Sequence, residues 1–427
     1  MSHFVITDAT TVAGDPVDVA VRDGRIAHVG PPGTADPESV DPDRHLDANG
    51  RLVAPTFTEP HIHLDATLTA GEPRWNDPGT LAEGIRIWAE RKGDLTVRDV
   101  KSRASETVEW LAACGVTRVR THVDTTEETL TGVEALLELR EEVADVVDLQ
   151  VVAFPQDGVF TAPGHEDLLV EAVEMGVDVV GGIPHNEHTR EDGVKDVRTA
   201  VDLAERHDLP LDLHIDETDD PGSRFTEVLA SEALKRDLGD RTTASHATAM
   251  HSYSNAYADK LVSLVAESGL SVVTNPPDNA VLQGRYDDYP RRRGHTRIDE
   301  LHEAGVTVGL GHDSVMDPWY HYGRGDPLDA AFVLLHYAHM NGRDDVETLW
   351  RMLTHANASV FGAEEYGLEE GAEGSVQVFD SPTAFDALRT RAPRTLVLKE
   401  GRIVAETEPS ETTVRREEGP RQVDFHR

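Results

Sequence analysis

Two histidines separated by one residue, His61 and His63, are the residues with the clearest potential for chemistry. They follow an apolar run at residues 52–58 that predicts a buried β-strand. Because side chains alternate between the two faces of a strand, both imidazoles should project to the same side. Neutral imidazoles suit zinc and divalent iron, so the pair could form half of a metal site. A chain with 21 histidines also contains such pairs by chance, so the spacing alone does not decide the matter.

Further polar residues stand at the ends of later strand-like segments. They are Gln156 after the third segment, His214 and Glu217 after the fifth, His246 after the sixth, Asn275 after the seventh and Asp313 at the end of the eighth. In a barrel of parallel strands the carboxyl ends meet at one rim, so these side chains would converge there. Each alone has a structural explanation, such as a helix cap or a solvated loop residue. Their common placement at one rim instead predicts an active site.

Part of this set could bind a divalent metal ion. Three neutral nitrogens and one anionic oxygen would come from His61, His63, His214 and Asp313, with a coordination position left for water. Such a metal lowers the pKa of its water to about 7 in favourable cases. Asp313 could accept the water proton, Glu217 could deliver a proton to substrate, and His246 could stabilise the developing charge. This pattern predicts metal-assisted hydrolysis at a planar carbon.

The sequence argues against several other hydrolytic sites. The fourth strand-like segment ends in Gly182-Ile183-Pro184-His185 without a lysine, so we expect one metal ion and not a lysine-bridged binuclear centre. The chain has neither a Gly-x-Ser-x-Gly nucleophile motif nor a His-Glu-x-x-His zinc motif. The small zinc deaminases need two cysteines after their His-x-Glu motif, whereas Cys114 is the only cysteine here.

The strand-like segments that carry these residues alternate with helix-like segments. The strand-like segments are residues 52–58, 117–124, 149–154, 177–183, 210–216, 242–246, 270–274 and 305–313. Residues 97–113 and 191–206 show the apolar spacing of amphipathic helices. Eight strands alternating with helices predict an α/β fold of the (β/α)8 TIM-barrel type. An open doubly wound sheet is the alternative, but no Gly-x-Gly-x-x-Gly follows the first strand.

The two ends of the chain share short β-like pieces joined by Asp-Gly and Pro-Gly turns. Residues 24–27 read Gly-Arg-Ile-Ala, and residues 401–404 read Gly-Arg-Ile-Val. We therefore expect residues 1–54 and 364–427 to form one small β-sandwich that flanks a catalytic barrel of residues 55–363. From about Glu408 onward the chain is polar, and this segment could be a loose tail or an interface arm.

The composition argues against some partners and favours a cytoplasmic location. The 79 acidic and 40 basic residues give a net charge of −39, which disfavours binding to nucleic acids and anionic membranes. No apolar run of about 18 residues predicts a membrane span, and we expect no secretory signal at the start of the chain. A single cysteine excludes an intramolecular disulfide and fits a reducing cytosol.

Several stretches around the candidate site resemble the amidohydrolase superfamily, and within it the barrel-type bacterial cytosine deaminases. The most specific are residues 59–65 (EPHIHLD), 152–156 (VAFPQ), 244–253 (ASHATAMHSY), 282–286 (LQGRY) and 311–313 (GHD), followed by 317–320 (DPWY). The resemblance covers nearly the whole chain. It implies a homo-oligomer that acts on a small nucleobase in pyrimidine salvage.

The resemblance also implies roles for individual residues. Iron or zinc, as Fe2+ or Zn2+, would be bound by His61, His63, His214 and Asp313. The catalytic residues would be Glu217, His246 and Asp313. The substrate would contact Gln156, Trp319, Ser314 and Phe154, and the Gln156 carboxamide can donate and accept hydrogen bonds at once. In such enzymes hydroxide attacks C4 of cytosine, Glu217 protonates N3 and then helps ammonia to leave, and uracil results.

Some residues near the rim depart from the cytosine deaminase pattern. Ser314 stands where a second aspartate often follows the metal-binding one. Asn186 and His188 stand where aromatic residues are common, and Pro277 and Asp278 replace apolar residues. The serine removes a charge and some bulk, which could admit a substituted pyrimidine or another amino-heterocycle.

Cytosine is the leading substrate from these residues. The alternatives are isocytosine, 5-methylcytosine, creatinine and alkylamino-triazines. A non-catalytic scaffold that kept the barrel is a further alternative, but loss of ligands is its usual sign, and no ligand is lost here.

The acidic composition predicts a folded, halophilic protein, because the charges are spread among apolar segments and do not form one block. High salt would screen the mutual repulsion of these charges. We expect the thermal unfolding midpoint, measured by circular dichroism, to rise steeply between dilute buffer and molar KCl. A midpoint that is independent of salt would contradict this adaptation.

Overall fold

The computed structural model describes residues 3–409 and 411–426 of the chain. Its strands are β1 (His3–Thr10), β2 (Pro16–Arg22), β3 (Arg25–Gly30), β4 (His45–Asp47), β5 (Val53–Pro55), β6 (Phe57–Ile62), β7 (Val116–Asp124), β8 (Asp148–Phe154), β9 (Val179–Val180), β10 (Leu211–Ile215), β11 (Thr242–His246), β12 (Ser271–Thr274), β13 (Val308–Leu310), β14 (Val376–Phe379), β15 (Arg394–Lys399), β16 (Arg402–Glu406), β17 (Thr412–Arg416) and β18 (Gly419–Val423).

Helices alternate with the strands through the middle of the chain. They are α1 (Leu81–Lys92), α2 (Val97–Ala113), α3 (Thr131–Glu142), α4 (His165–Glu174), α5 (Arg190–His207), α6 (Thr226–Arg236), α7 (Asn255–Ser268), α8 (Pro276–Leu282), α9 (Ile298–Glu303), α10 (Pro327–Tyr337), α11 (Arg343–Arg351), α12 (Asn357–Phe361) and α13 (Ala384–Thr390). In α5 the buried residues Val197, Ala200 and Ala204 recur every three or four positions, which presents one apolar stripe to the sheet.

The eight strands from β6 to β13 form one parallel sheet in chain order. Every residue of β7 is buried, as expected for a strand covered on both faces. The last strand returns beside the first, because Ile62 and Asp313 form a parallel bridge. The backbone N–H of Asp313 donates to the carbonyl of His61 at 2.9 Å, and the N–H of His63 donates to the carbonyl of Asp313 at 3.2 Å. The predicted TIM-type barrel is confirmed.

Asn357, the buried first residue of α12, links the first and last barrel strands through its side chain. The Asn357 side-chain amide donates to the carbonyls of Thr58 at 2.9 Å and Leu310 at 2.8 Å. Its oxygen accepts the N–H of Leu310 at 2.7 Å. Asn357 therefore links β6 to β13 at the place where the barrel closes.

The small sandwich is built from both ends of the chain, as expected. One sheet has the order β3-β2-β1-β4 and the other the order β16-β15-β14-β5. Buried apolar residues from both ends share one core that includes Ile6, Val19, Val53, Val376 and Leu398. The fold class is confirmed, and the exact division of the chain near residues 54 and 363 stays a prediction.

The structure corrects some predicted strand limits. The apolar run at residues 52–58 is not one strand: Val53–Pro55 pairs with β14 of the sandwich, whereas Phe57 pairs with Val116 of the barrel. Both halves are buried, so hydrophobicity does not mark the change of partner. The segment 177–183 contains only a two-residue strand, β9. Gly181 and Gly182 follow it, and a Cβ at Gly181 would lie 2.7 Å from the carbonyl oxygen of Ala153.

The polar segment after Glu408 contains a hairpin of β17 and β18, whose side chains are mostly exposed. It is therefore not a loose tail over these residues, and its use as an interface arm stays a prediction. Among the described residues, no helix is both long enough and apolar enough to cross a membrane.

Replacing Asn357 tests the closure of the barrel. We expect Asn357→Ala to lower the free energy of unfolding by about 3 kcal/mol, because two carbonyls and one N–H lose their partner in the core. Urea unfolding at constant KCl measures the change. The exposed Asn341 provides the control, since Asn341→Ala should have an effect within about 0.5 kcal/mol. Equal effects of the two substitutions would contradict the assigned role of Asn357.

Candidate active site

Three imidazoles and one carboxylate meet at the carboxyl end of the barrel strands. The Nε2 atom of His214 lies 3.2 Å from that of His61 and 3.0 Å from that of His63. The Oδ1 atom of Asp313 lies 3.5 Å from Nε2 of His61 and 3.4 Å from Nε2 of His63. All four side chains are buried, and their ligand atoms lie within 4.8 Å of one another. The structure thus brings the four predicted ligands together.

The donor set fits a divalent cation. Burial, helped by the neighbouring histidines, holds the pKa of His61 and of His214 well below the usual range. Burial also lowers the pKa of His63. The imidazoles are therefore neutral at physiological pH, and lone pairs that converge beside a carboxylate match divalent metal coordination. The cluster could hold one divalent metal ion.

A hydrogen-bonded chain behind His61 fixes its tautomer. The Ser245 hydroxyl donates to Oδ1 of Asp212 at 2.6 Å, so its oxygen is free to accept from Nδ1 of His61, 2.9 Å away. Nδ1 then carries the proton, and Nε2 is left as the ligand atom. Arg120 donates to the other oxygen of Asp212 at 3.0 Å. The ligand atoms of His61, His122 and Asp212 also lie close together, but the positive charge of Arg120 disfavours binding of a second metal ion there.

The backbone beside the ligands is held by a buried glutamate. Oε1 of Glu59 accepts the N–H groups of His61 at 3.1 Å and His312 at 3.0 Å. Burial raises the pKa of Glu59 to about 8. Gly311 passes so close that a Cβ there would lie 2.4 Å from Oδ1 of Asn275. Asp313 itself has a left-handed φ of 71°, a strained conformation that points to function.

Groups suited to proton transfer lie next to the cluster. Nδ1 of His246 lies 3.7 Å from Oε1 of Glu217 and 3.8 Å from Oδ2 of Asp313. The Asn279 amide nitrogen lies 3.0 Å from Nδ1 of His246 and 3.3 Å from Oε1 of Glu217. Burial, followed by the charges of Asp278 and Asp313, raises the pKa of Glu217 well above its usual range. Glu217 can therefore carry a proton at neutral pH.

The loop that carries Glu217 is anchored by the preceding residue. Asp216 has a left-handed φ of 51° and turns its carboxylate into the protein. Its oxygens accept the N–H groups of Phe225 at 2.9 Å and Thr226 at 2.8 Å, and the Ser223 hydroxyl at 2.6 Å. These bonds fix the path of the chain at the end of β10, so Glu217 faces the cluster.

A small pocket opens onto the cluster. Its lining residues are His63, Leu81, Gln156, His214, Glu217, His246, Asp278, Leu282, Asp313, Ser314 and Trp319. Three of the four predicted substrate contacts, Gln156, Ser314 and Trp319, are among them. Trp319 packs so closely on α1 that a Cβ at Gly84 would lie 2.3 Å from its ring.

Phe154 lies elsewhere. Its ring stacks on His214 with centroids 3.9 Å apart, and it is fully buried. Phe154 therefore supports a metal ligand in this structure, and its contact with substrate stays a prediction.

Sequence reasoning missed two groups of the site on α8, Asn279 beside His246 and Asp278 in the pocket lining. Asn279 lies nearer to His246 than Asn275 does, at 3.0 Å against 3.4 Å. Asp278 was noted only as a departure from a pattern. A signal existed, since Asn275 and Asn279 stand four residues apart after a barrel strand, and residues at this spacing share one face of a helix.

Similarity to known proteins agrees with this geometry. A crystal structure of 5-methylcytosine deaminase from Klebsiella pneumoniae is 42% identical, with a TM-score of 0.91 over 95% of this chain and 98% of that chain. N-isopropylammelide isopropyl amidohydrolase of Pseudomonas sp. is 30% identical over 85% of this chain and 88% of the relative. Pterin deaminase of Rhizobium rhizogenes is 28% identical over 96% of this chain and 95% of the relative.

A family profile matches most of the chain. The profile describes the amidohydrolase family, and it covers residues 44–405, which include the whole barrel and the metal-ligand cluster. The resemblance drawn from the sequence motifs is confirmed. This chain belongs to the amidohydrolase family of metal-dependent hydrolases that act on carbon–nitrogen bonds of cyclic compounds.

Proposed function

We propose that the protein hydrolytically deaminates a cytosine-type ring, with 5-methylcytosine as its preferred substrate and cytosine as the second candidate. The observation that carries the proposal is Ser314, which lines the pocket directly beside Asp313. A serine leaves more room at this wall than an aspartate and adds no charge. The 42% identity to a 5-methylcytosine deaminase supports the same substrate.

The ligand cluster supports a single Fe2+ or Zn2+ ion, held by His61, His63, His214 and Asp313. Such an ion, when bound, would supply an activated water as the nucleophile, because it lowers the pKa of that water to about 7.

The chain's own residues would bind the ring and move the protons. Gln156 would orient the ring, because its carboxamide can donate to a carbonyl oxygen and accept from a ring N–H. Glu217 would deliver a proton to N3 of the ring and then help to protonate the leaving amino group. His246, between Glu217 and Asp313, would stabilise charge that develops at the attacked carbon. The products would be ammonia and thymine, or uracil from cytosine.

Homo-oligomerisation and a cytoplasmic location stay predictions from the family resemblance and the composition. Gel filtration with light scattering, in molar KCl, would measure the oligomeric state.

A substrate panel, combined with one substitution, tests the proposed specificity. We expect kcat/KM, followed by release of ammonia, or of isopropylamine from N-isopropylammelide, to be highest for 5-methylcytosine among 5-methylcytosine, cytosine, isocytosine, creatinine and N-isopropylammelide. Ser314→Asp should lower the ratio of kcat/KM for 5-methylcytosine to that for cytosine by about 10- to 100-fold, the range for one methyl group in a fitted pocket. Ser314→Ala is the control and should keep the ratio. Turnover of another heterocycle but neither of these pyrimidines would contradict the proposal.

Metal analysis tests the ligand assignment independently of activity. We expect the purified protein to contain one Fe2+ or Zn2+ per subunit, and His63→Ala to lose most of it, because one of four donors is removed. The exposed His188 provides the control, and His188→Ala should keep the metal. Full metal content in His63→Ala, measured by inductively coupled plasma mass spectrometry, would show that the metal binds at another site.

A further inference from the structure

Asp278 is a buried acidic residue of the pocket to which neither the fold nor the proton-transfer steps assign a role. It lies in the first turn of α8, after two prolines that open the helix. Its side chain is 1% exposed and lines the pocket together with Ser314 and Asp313. The carboxyl group interacts with the side chains of both residues.

The fold leaves one oxygen of this carboxyl group without a partner. Its Oδ1 atom is buried and has no hydrogen-bond partner within residues 3–409 and 411–426. No basic side chain in the described part of the chain forms an ion pair with it, and the charged groups that act on it are the carboxyls of Asp313 and Asp317. A buried polar atom left unpaired is costly, so a retained one needs a functional explanation.

Other buried aspartates show what a structural role looks like. Asp212 is paired with Arg120 at 3.0 Å and accepts from Ser245 at 2.6 Å. Asp326 is paired with Arg394 at 2.6 Å and accepts the N–H of Leu328 at 3.1 Å. Asp278 has no comparable partner among the described residues, although it is buried to a similar extent.

The missing partner is therefore a hydrogen-bond donor that enters the pocket. A substrate with an exocyclic amino group brings two N–H donors on the carbon that is attacked. That carbon must come next to Asp313 and Glu217 in the proposed reaction, so its amino group comes within reach of the residues beside Asp313. The Ser314 side chain ends at a short hydroxyl, whereas the carboxyl of Asp278 faces the same space.

We propose that Asp278 accepts a hydrogen bond from the exocyclic amino group of the substrate and is a specificity-determining residue for amino-bearing rings. The inference rests on the proposed deamination, but it does not depend on which amino-heterocycle is used. The bond is present with the substrate and absent with the product, because the product carries an oxo group at that carbon and has no donor there. Asp278 therefore favours substrate over product in the pocket.

Two substitutions separate this role from a structural one. Asp278→Val removes the acceptor at similar volume, whereas Asp278→Asn keeps a carbonyl oxygen that can accept. We expect Asp278→Val to lower kcat/KM for 5-methylcytosine by about 10- to 100-fold, mainly through KM, since one hydrogen bond to the substrate is lost. The inhibition constant of thymine should stay within about threefold of wild type, because the product never made this bond. Asp278→Asn should recover most of the lost kcat/KM.

Stability and metal content complete the experiment. The thermal midpoint of Asp278→Val should equal or exceed that of wild type, because an apolar side chain replaces a buried carboxyl that has one unpaired oxygen. Its bound metal should match wild type. The proposal is overturned if kcat/KM is unchanged, if thymine binding weakens as much as substrate binding, or if the metal is lost.

The wild-type panel distinguishes this proposal from the proposed function. If the wild type prefers another amino-heterocycle, the same comparison is made with that compound and its deaminated product, and the role of Asp278 stands or falls on that result. If the wild type deaminates no amino-heterocycle, both proposals are wrong.

Discussion

The site depends on the closure of the barrel between its first and last strands. His61 lies in β6, His63 directly follows β6, and Asp313 lies three residues beyond β13, so these predicted ligands meet only if the two strands pair in one register. The bridge between Ile62 and Asp313 sets that register. Since side chains alternate along a strand, a shift by one residue would turn the imidazoles away from the carboxylate. Glu59 and Asn357 bond across the same seam, which explains why two buried polar side chains are kept there.

Burial then decides the charge states on which the chemistry relies. Removal from water keeps the histidines neutral and raises the pKa of Glu217, so ligands and a proton donor coexist within one small volume. The pocket lining contains no lysine or arginine among the described residues, and the guanidinium of Arg120 lies behind the ligands, paired with Asp212. A bound cation would supply positive charge to the pocket, which is consistent with a family of metal-dependent hydrolases.

Sequence reasoning predicted the parts of the site that follow from strand periodicity. His61, His214 and His246 lie within the last two residues of barrel strands, and Asp313 lies three residues beyond β13. Parallel topology alone brings such positions to one rim. Asp278 and Asn279 lie beyond β12 on a short helix, and local patterns do not reveal which way such a segment turns. Phe154 shows a further limit, because alternation gives the side of the strand but not the depth, and its ring lies beneath His214. The boundary between β5 and β6 could not be predicted from hydrophobicity, because all residues of both strands are buried.

The link from Asn357 to Thr58 also has a consequence for biosynthesis. These residues are separated by 299 positions. Strand β6 therefore leaves the ribosome long before β13, with which it pairs, and Asn357 have been synthesised. Until then the nascent barrel has an open sheet edge, which is a template for aggregation. In dilute salt, the net charge of −39 would make incomplete chains repel one another during that interval, whereas molar salt would screen this repulsion.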